Sequence, residues 1–209
     1  MKPQNLSSAI PFLSICLALL FSISLPVASQ AQQTNMDQRI GDWMYIGGDV
    51  ASQRYSELSQ IDASNFGDLD VSWEWDAGSF GNVLARPTPI YVDGMLITVA
   101  GERRYVVALD AGTGETLWTF REPSTPRWEY SMRKNHGKGV AYANVDGRDI
   151  VFVVSPAFFM HALDAHTGQP IEGFGGAIPI EGFPKTGSVD LLADLGHEYD
   201  VYEGIPLET

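Results

Sequence analysis

Val106 to Phe120, VVALDAGTGETLWTF, reads as strand, tight turn and return strand, and it comes back fifty-four residues later as MHALDAHTGQPIEGF, Met160 to Phe174. Seven of the fifteen positions are identical: Ala-Leu-Asp-Ala, Thr-Gly and the closing Phe. Self-similarity at a fixed period is the mark of a repeat architecture. Val107 and Leu109 alternate with Val106 and Ala108, the period-2 pattern of a strand packed on both faces. Asp110 opens the turn. Its carboxylate can accept from N–H groups two or three residues on, the Thr113 hydroxyl can do likewise, and Gly114 supplies a positive φ. Leu117, Trp118 and Phe120 form the return strand. One copy is compatible with an ordinary hairpin, but two copies with matching turn chemistry point to a repeated unit.

Upstream of each copy lies a second correspondence. Pro89 to Ala100 (PIYVDGMLITVA) and Val140 to Val154 (VAYANVDGRDIVFVV) both read strand, Asp-Gly, strand, the strongest short hairpin signal. The unit is therefore four short strands, and the chain holds no long 3.6-period stretch that would suggest a helical solenoid. Four-stranded units at this spacing are β-propeller blades. The expected fold is all-β, a partial β-propeller of about two blades. A closed propeller has about four to eight, and an open pair would leave raw sheet edges. The chain is accordingly expected to be the N-terminal part of a longer protein, with the remaining propeller blades beyond it.

Lys2 is the only charge before Asp37, Ile10 to Ala28 is apolar, and Ser29-Gln30-Ala31 places small residues at a cleavage site. This is the pattern of a secretory signal, residues 1–31, cleaved after Ala31 to give an exported, periplasmic protein. An uncleaved anchor is the rival, although Pro26 interrupts the run. The single cysteine, Cys16, falls within the signal, so stability must come from packing and not from disulfides. The 26 acidic against 13 basic residues give a net charge of −13, which argues against nucleic acid as a partner. The remainder, 32–209, divides into an opening segment at 37–76, a first blade at about 83–122, a second at about 139–175, and an excursion at 175–209.

Asp42-Trp43, Tyr45, Gly47-Gly48-Asp49, Arg54-Tyr55-Ser56, Leu58, Gln60-Ile61 and Asn65 resemble the opening of the pyrroloquinoline quinone (PQQ) dependent dehydrogenases. The resemblance continues through Thr88-Pro89-Ile90, the Ala-Leu-Asp-Ala-x-Thr-Gly-x-x-x-Trp pattern, Gly139-Val140-Ala141-Tyr142, Phe174-Gly175 and Gly187 to Leu191. It looks most like the branch related to membrane glucose dehydrogenase. What it implies is an eight-bladed propeller holding PQQ and calcium (Ca2+) on its axis, with strand Val71 to Trp75 closing the ring. Such an enzyme oxidises an alcohol or sugar and passes electrons to a quinone or cytochrome c. The alternative is a non-catalytic propeller scaffold that binds protein partners in the cell envelope. Such scaffolds usually carry a lipidated cysteine at the end of the signal, and none stands there.

PQQ carries several carboxylates, so its cradle needs cationic and hydroxyl donors. The resemblance places Arg86, Thr88, His136 and Lys138 as cofactor-binding candidates. Arg86 stands where many relatives have Glu before the Thr-Pro pair; it can grip a carboxylate but cannot accept hydrogen bonds. Met132-Arg133 replace the adjacent cysteines of the alcohol dehydrogenases, and Lys138 keeps the charge of their Arg without its bidentate fork. A salt-bridging surface Arg86 and a plain surface His136 are the bland readings. The catalytic base and most of the calcium ligands are expected outside this chain, so neither catalytic nor metal residues are assigned. His161, His166 and His197 fit no metal spacing. Trp73, Trp75 and Trp118 read as blade packing, and Glu172 replaces the tryptophan in the second repeat. The acidic set Asp190, Asp194, Glu198, Asp200 and Glu203 could hold calcium but reads more simply as a solvated loop.

Overall fold

The computed structural model describes residues 41–81, 87–131 and 139–193. All belong to the second of two compact units, Asn35–Thr209. The fold is all-β, two blades of a β-propeller. The first sheet runs in the order β1 (Ile90–Val92), β2 (Met95–Ala100), β3 (Tyr105–Asp110), β4 (Thr116–Phe120). The second repeats it with β5 (Ala141–Val145), β6 (Arg148–Val154), β7 (Phe159–Asp164) and β8 (Ser188–Asp190), every neighbouring pair antiparallel.

Both hairpins turn as the Asp-Gly pairs require. Asp93 and Gly94 have φ of 48° and 76°, and Asp146 and Gly147 have 52° and 79°, the double positive φ of a type I′ turn. The repeated Asp-x-x-Thr-Gly turns are equally alike. Asp110 Oδ1 accepts from Gly112 N, Thr113 N and Thr113 Oγ1 at 3.0, 2.8 and 2.9 Å. Asp164 Oδ1 accepts from His166 N, Thr167 N and Thr167 Oγ1 at 3.1, 2.9 and 2.9 Å.

The alternation along β3 divides the core. Val106 and Ala108 face the second sheet and join Ile97, Val151 and Leu163 in the main cluster. Val107 and Leu109 face the other way, onto Trp73 and Trp75 of the opening segment and Phe80 just after it. Ile97, Val151 and Leu163 are fully buried, and each such side chain contributes about 1.5–3 kcal/mol. The opening segment touches the first sheet at its edge too: Trp43 and Tyr91 exchange backbone hydrogen bonds of 2.8 and 2.9 Å. Val71 to Trp75 forms no strand and has no partner strand among the described residues. Its tryptophans pack on the sheet face instead.

The fourth strand of the second sheet lies later than the repeat spacing places it. Leu163 bridges Pro170 as Leu109 pairs Thr116, and Ile171 N reaches Ala162 O at 2.9 Å. The chain then leaves the sheet. It returns at Gly187, whose carbonyl accepts from Ala162 N at 2.9 Å, and Ser188 takes its place opposite His161. The excursion thus lies inside the blade, between the start and the body of its last strand. Pro170 has no N–H for the ladder, and Glu172-Gly173, both disfavoured in strands, stand where the first copy has Trp118-Thr119. Thr186 Oγ1 closes the excursion by accepting from Gly173 N (3.0 Å) and donating to Ile171 O (3.1 Å). Phe174 packs edge-on to Phe152 over the outer face of the second sheet, with ring centroids 5.7 Å apart.

Candidate functional site

Antiparallel order gives each sheet two unlike ends. One carries the four tight turns: 93–94, 110–115, 146–147 and 164–169. The other carries the starts of β1, β3, β5 and β7, the ends of β2, β4, β6 and β8, and the connections 101–104, 121–140 and 155–158. All four predicted cofactor-binding residues belong in sequence to this second end. Thr88, two residues before β1, is half-buried. A Cβ on Gly139 would stand 3.0 Å from the Thr88 carbonyl oxygen, so the approaches to β1 and β5 touch. Only glycine permits that separation without a shift. Arg86, His136 and Lys138 lie outside the described residues, as do Met132 and Arg133.

Polar side chains that the sequence reading left unassigned gather at the same end. His161 is fully buried. Its Nε2 is 2.9 Å from Glu122 Oε2, and its Nδ1 is 2.8 Å from Ser188 Oγ. A carboxylate only accepts, so Nε2–H donates to Glu122, and in the neutral ring Nδ1 accepts the Ser188 hydroxyl proton. Arg127 is 4% exposed and grips Asp190 with both terminal nitrogens, Nη2 to Oδ1 at 2.7 Å and Nη1 to Oδ2 at 3.0 Å. Its guanidinium carbon lies 4.3 Å from the centre of the Phe159 ring, a desolvated cation–π contact. Arg104 Nη1 donates to Val154 O at 2.7 Å across the two sheets. Arg103 donates to Ser124 Oγ at 2.7 Å and lies over Trp128 at 4.4 Å. The partners stand 39, 27 and 63 residues apart for the His161 and Arg127 contacts, so no local pattern announces them.

These contacts bear on the cofactor. Arg103, Arg104 and Arg127 are engaged by protein groups, and of the four predicted cofactor-binding residues Thr88 alone lies among the described residues. The donor chemistry of that set, hydroxyl, guanidinium, imidazole and ammonium, fits PQQ. Among the described residues no group of three His, Cys, Asp or Glu could hold a metal ion. Asp190 of the acidic set is paired with Arg127, and Asp194, Glu198, Asp200 and Glu203 lie outside the described residues.

The tryptophans are structural. Trp73 Nε1 donates to Ala111 O and Trp118 Nε1 to Ala165 O, each at 3.0 Å. Each ring covers the glycine of the facing Thr-Gly turn: a Cβ on Gly114 would meet Trp73 at 2.6 Å, and one on Gly168 would meet Trp118 at 2.5 Å. The turn of each blade is thus the seat for an indole from the segment before it. The family model described as "PQQ: Glucose/ethanol/alcohol dehydrogenase, beta-propeller domain" matches residues 43–205, a range that takes in both of these turns. The chain belongs to that family.

Within the PQQ-dependent dehydrogenases, the chain is 35% identical over 179 residues to the quinohemoprotein alcohol dehydrogenase of Comamonas testosteroni, covering 78% of this chain and 23% of that protein. It is 38% identical over 136 residues to a 1-butanol dehydrogenase (cytochrome c) of Thauera butanivorans, covering 63% and 18%. The solved structure of the quinohemoprotein alcohol dehydrogenase ADHIIG from Pseudomonas putida HK5 superposes with a TM-score of 0.56 at 30% identity, over 76% of this chain and 20% of that one. The chain therefore spans about a quarter or less of the length of these relatives. All three are named for alcohols, so the expected glucose dehydrogenase-related branch has no counterpart among them.

Proposed function

We propose that this chain is the N-terminal part of the propeller of a PQQ-dependent dehydrogenase that oxidises an alcohol or sugar CH–OH group. The observation that carries the reading is the convergence of Thr88 and Gly139 at the end of the sheets toward which Arg86, His136 and Lys138 lie in sequence. Bound PQQ, with calcium polarising its quinone carbonyl, supplies the acceptor for the substrate's hydride. The residues of this chain bind and orient. The Arg86 guanidinium and Lys138 ammonium hold cofactor carboxylates, the Thr88 hydroxyl and His136 ring nitrogen add hydrogen bonds, and the protein's remaining blades carry the base and the calcium ligands. Electrons leave to a quinone or to cytochrome c, the latter named in the description of the Thauera butanivorans relative. The protein is exported to the periplasm after cleavage behind Ala31, and 32–209 is its propeller part, with opening segment, two blades and excursion. The chain by itself binds without turnover, because the base lies elsewhere.

Spectral titration of the purified chain with PQQ and calcium tests this, with Arg86→Ala and Lys138→Ala as companions. Saturable binding weakened about tenfold or more by either substitution is expected. No binding by the unsubstituted chain would return the reading to a scaffold that binds protein partners.

A further inference from the structure

We infer that Asp146-Gly147 is a site of spontaneous covalent modification, at which the folded protein converts aspartate to isoaspartate, while the same dipeptide at Asp93-Gly94 is protected. The comparison lies within the molecule. Both pairs close two-residue type I′ turns with positive φ at each residue, and both are exposed, so neither sequence nor exposure separates them. The reaction needs no partner besides water. The Gly147 amide nitrogen attacks Cγ of the Asp146 carboxyl: the C–N bond forms, the C–OH bond breaks, and the amide proton leaves with the hydroxyl as water. Water then adds at the main-chain carbonyl carbon of Asp146 and breaks its bond to that nitrogen, leaving a free α-carboxyl and a chain that runs through Cγ. Glycine suits the step because no side chain crowds the attacking nitrogen.

Ring closure requires the aspartate to rotate out of the left-handed turn, so the rate follows the local opening of each hairpin tip. The first tip is clamped from outside its hairpin. Asp93 N donates to Asp42 Oδ1 at 3.2 Å, and Gly94 O accepts from Ala111 N at 2.9 Å. Just before the turn, Trp43 and Tyr91 exchange their backbone hydrogen bonds. The second tip stands further out. Ala165 N, the counterpart of Ala111 N, reaches Asp149 O and not Gly147. Beyond that contact the hairpin continues through the pairs Asn144 with Asp149 and Val145 with Arg148, and Asn144, Val145 and Arg148 are exposed. Gly147 N donates to Asn144 Oδ1 at 3.2 Å, a bond inside the hairpin that opens with it. Among the described residues, no group outside the hairpin bonds to residues 145–148. The second tip therefore opens without breaking a tertiary hydrogen bond, and the first cannot. The product has one more main-chain carbon than a two-residue turn accommodates, so modification frays the tip of the β5–β6 hairpin.

The test is prolonged incubation of the whole folded chain in mildly acidic buffer, in parallel with the same chain unfolded in urea. Isoaspartate is located by peptide mapping after labelling with an isoaspartyl carboxyl methyltransferase and radiolabelled S-adenosylmethionine. In the folded chain, label at 146 is expected to exceed label at 93 by about tenfold or more, because the clamp on the first tip costs hydrogen bonds to open. In urea the two sites should be labelled alike. Gly147→Ala, which crowds the attacking nitrogen, should lower the yield at 146. A folded chain without isoaspartate at 146 overturns the inference, as does equal labelling of the two sites in the folded chain. The same preference for 146 in urea would trace it to local sequence and overturn the role of the fold. An unchanged yield in Gly147→Ala would remove the Gly147 nitrogen as the attacking group.

Discussion

Trp118 of the first blade donates its indole N–H to the carbonyl of Ala165 in the second, and its ring occupies the space that a side chain on Gly168 would need. Gly168 has φ of +69°, so the turn chemistry that makes the hairpin also clears the seat for the neighbouring blade. One residue serves local and tertiary structure at once.

Gly168→Ala should therefore cost more than a left-handed glycine does by itself. Conformation alone accounts for about 1–2 kcal/mol, and the collision with Trp118 adds about 1–3 kcal/mol. Gly147→Ala, at φ +79° with open space around it, is the control. Urea midpoints that put the two variants level would mean that the indole does not sit on this glycine.

Trp118→Ala is expected to destabilise by about 3 kcal/mol, and Trp118→Phe by about 1 kcal/mol more than its lost area accounts for, since the Ala165 carbonyl then lacks its donor. The same denaturation series decides it. Equal stability of Trp118→Phe and the unsubstituted chain would remove the hydrogen bond from the account.

Asp110 is held below its ordinary value of 3.8, first by the hydrogen bond from the Thr113 side chain and then by the Thr113 and Gly112 backbone N–H groups. A lowered folded value means that the contribution is complete above the unfolded value and is lost as pH falls through the folded one. The amide shifts of Gly112 and Thr113 should follow an acid titration with its midpoint below 3.8, and the titration should be absent in Asp110→Asn. A midpoint at or above the ordinary value would contradict the hydrogen-bonded turn.

Arg127→Ala leaves a partly buried Asp190 without its fork and should cost about 3 kcal/mol. Arg127→Lys keeps the charge, loses the two-pronged geometry, and should cost about 1–2 kcal/mol. Thermal unfolding of the two variants checks the order; a lysine variant as unstable as the alanine one would show that geometry outweighs charge altogether.

What could be read in the sequence was what local chemistry encodes. The Asp-Gly pairs, the Asp-x-x-Thr-Gly turns and the two-sided alternation at Val106 to Leu109 place seven of the eight strands, since each signal acts within a few residues. The last strand could not be placed, because nothing in Pro170 to Phe174 says how far the chain travels before Ser188 resumes the ladder. His161 looked uninformative for a related reason. Its partners, Glu122 and Ser188, are brought to it only by folding, and a lone histidine beside a turn carries no hint of a carboxylate 39 residues away.

The two ends of the excursion meet: a Cβ on Gly187 would lie 2.4 Å from the Cβ of Pro170. A segment whose stem is already closed burdens the fold only through its own ordering, and each doubling of a flexible loop's length adds only about 0.6 kcal/mol. The blade can therefore lengthen or shorten at this stem without moving its sheet.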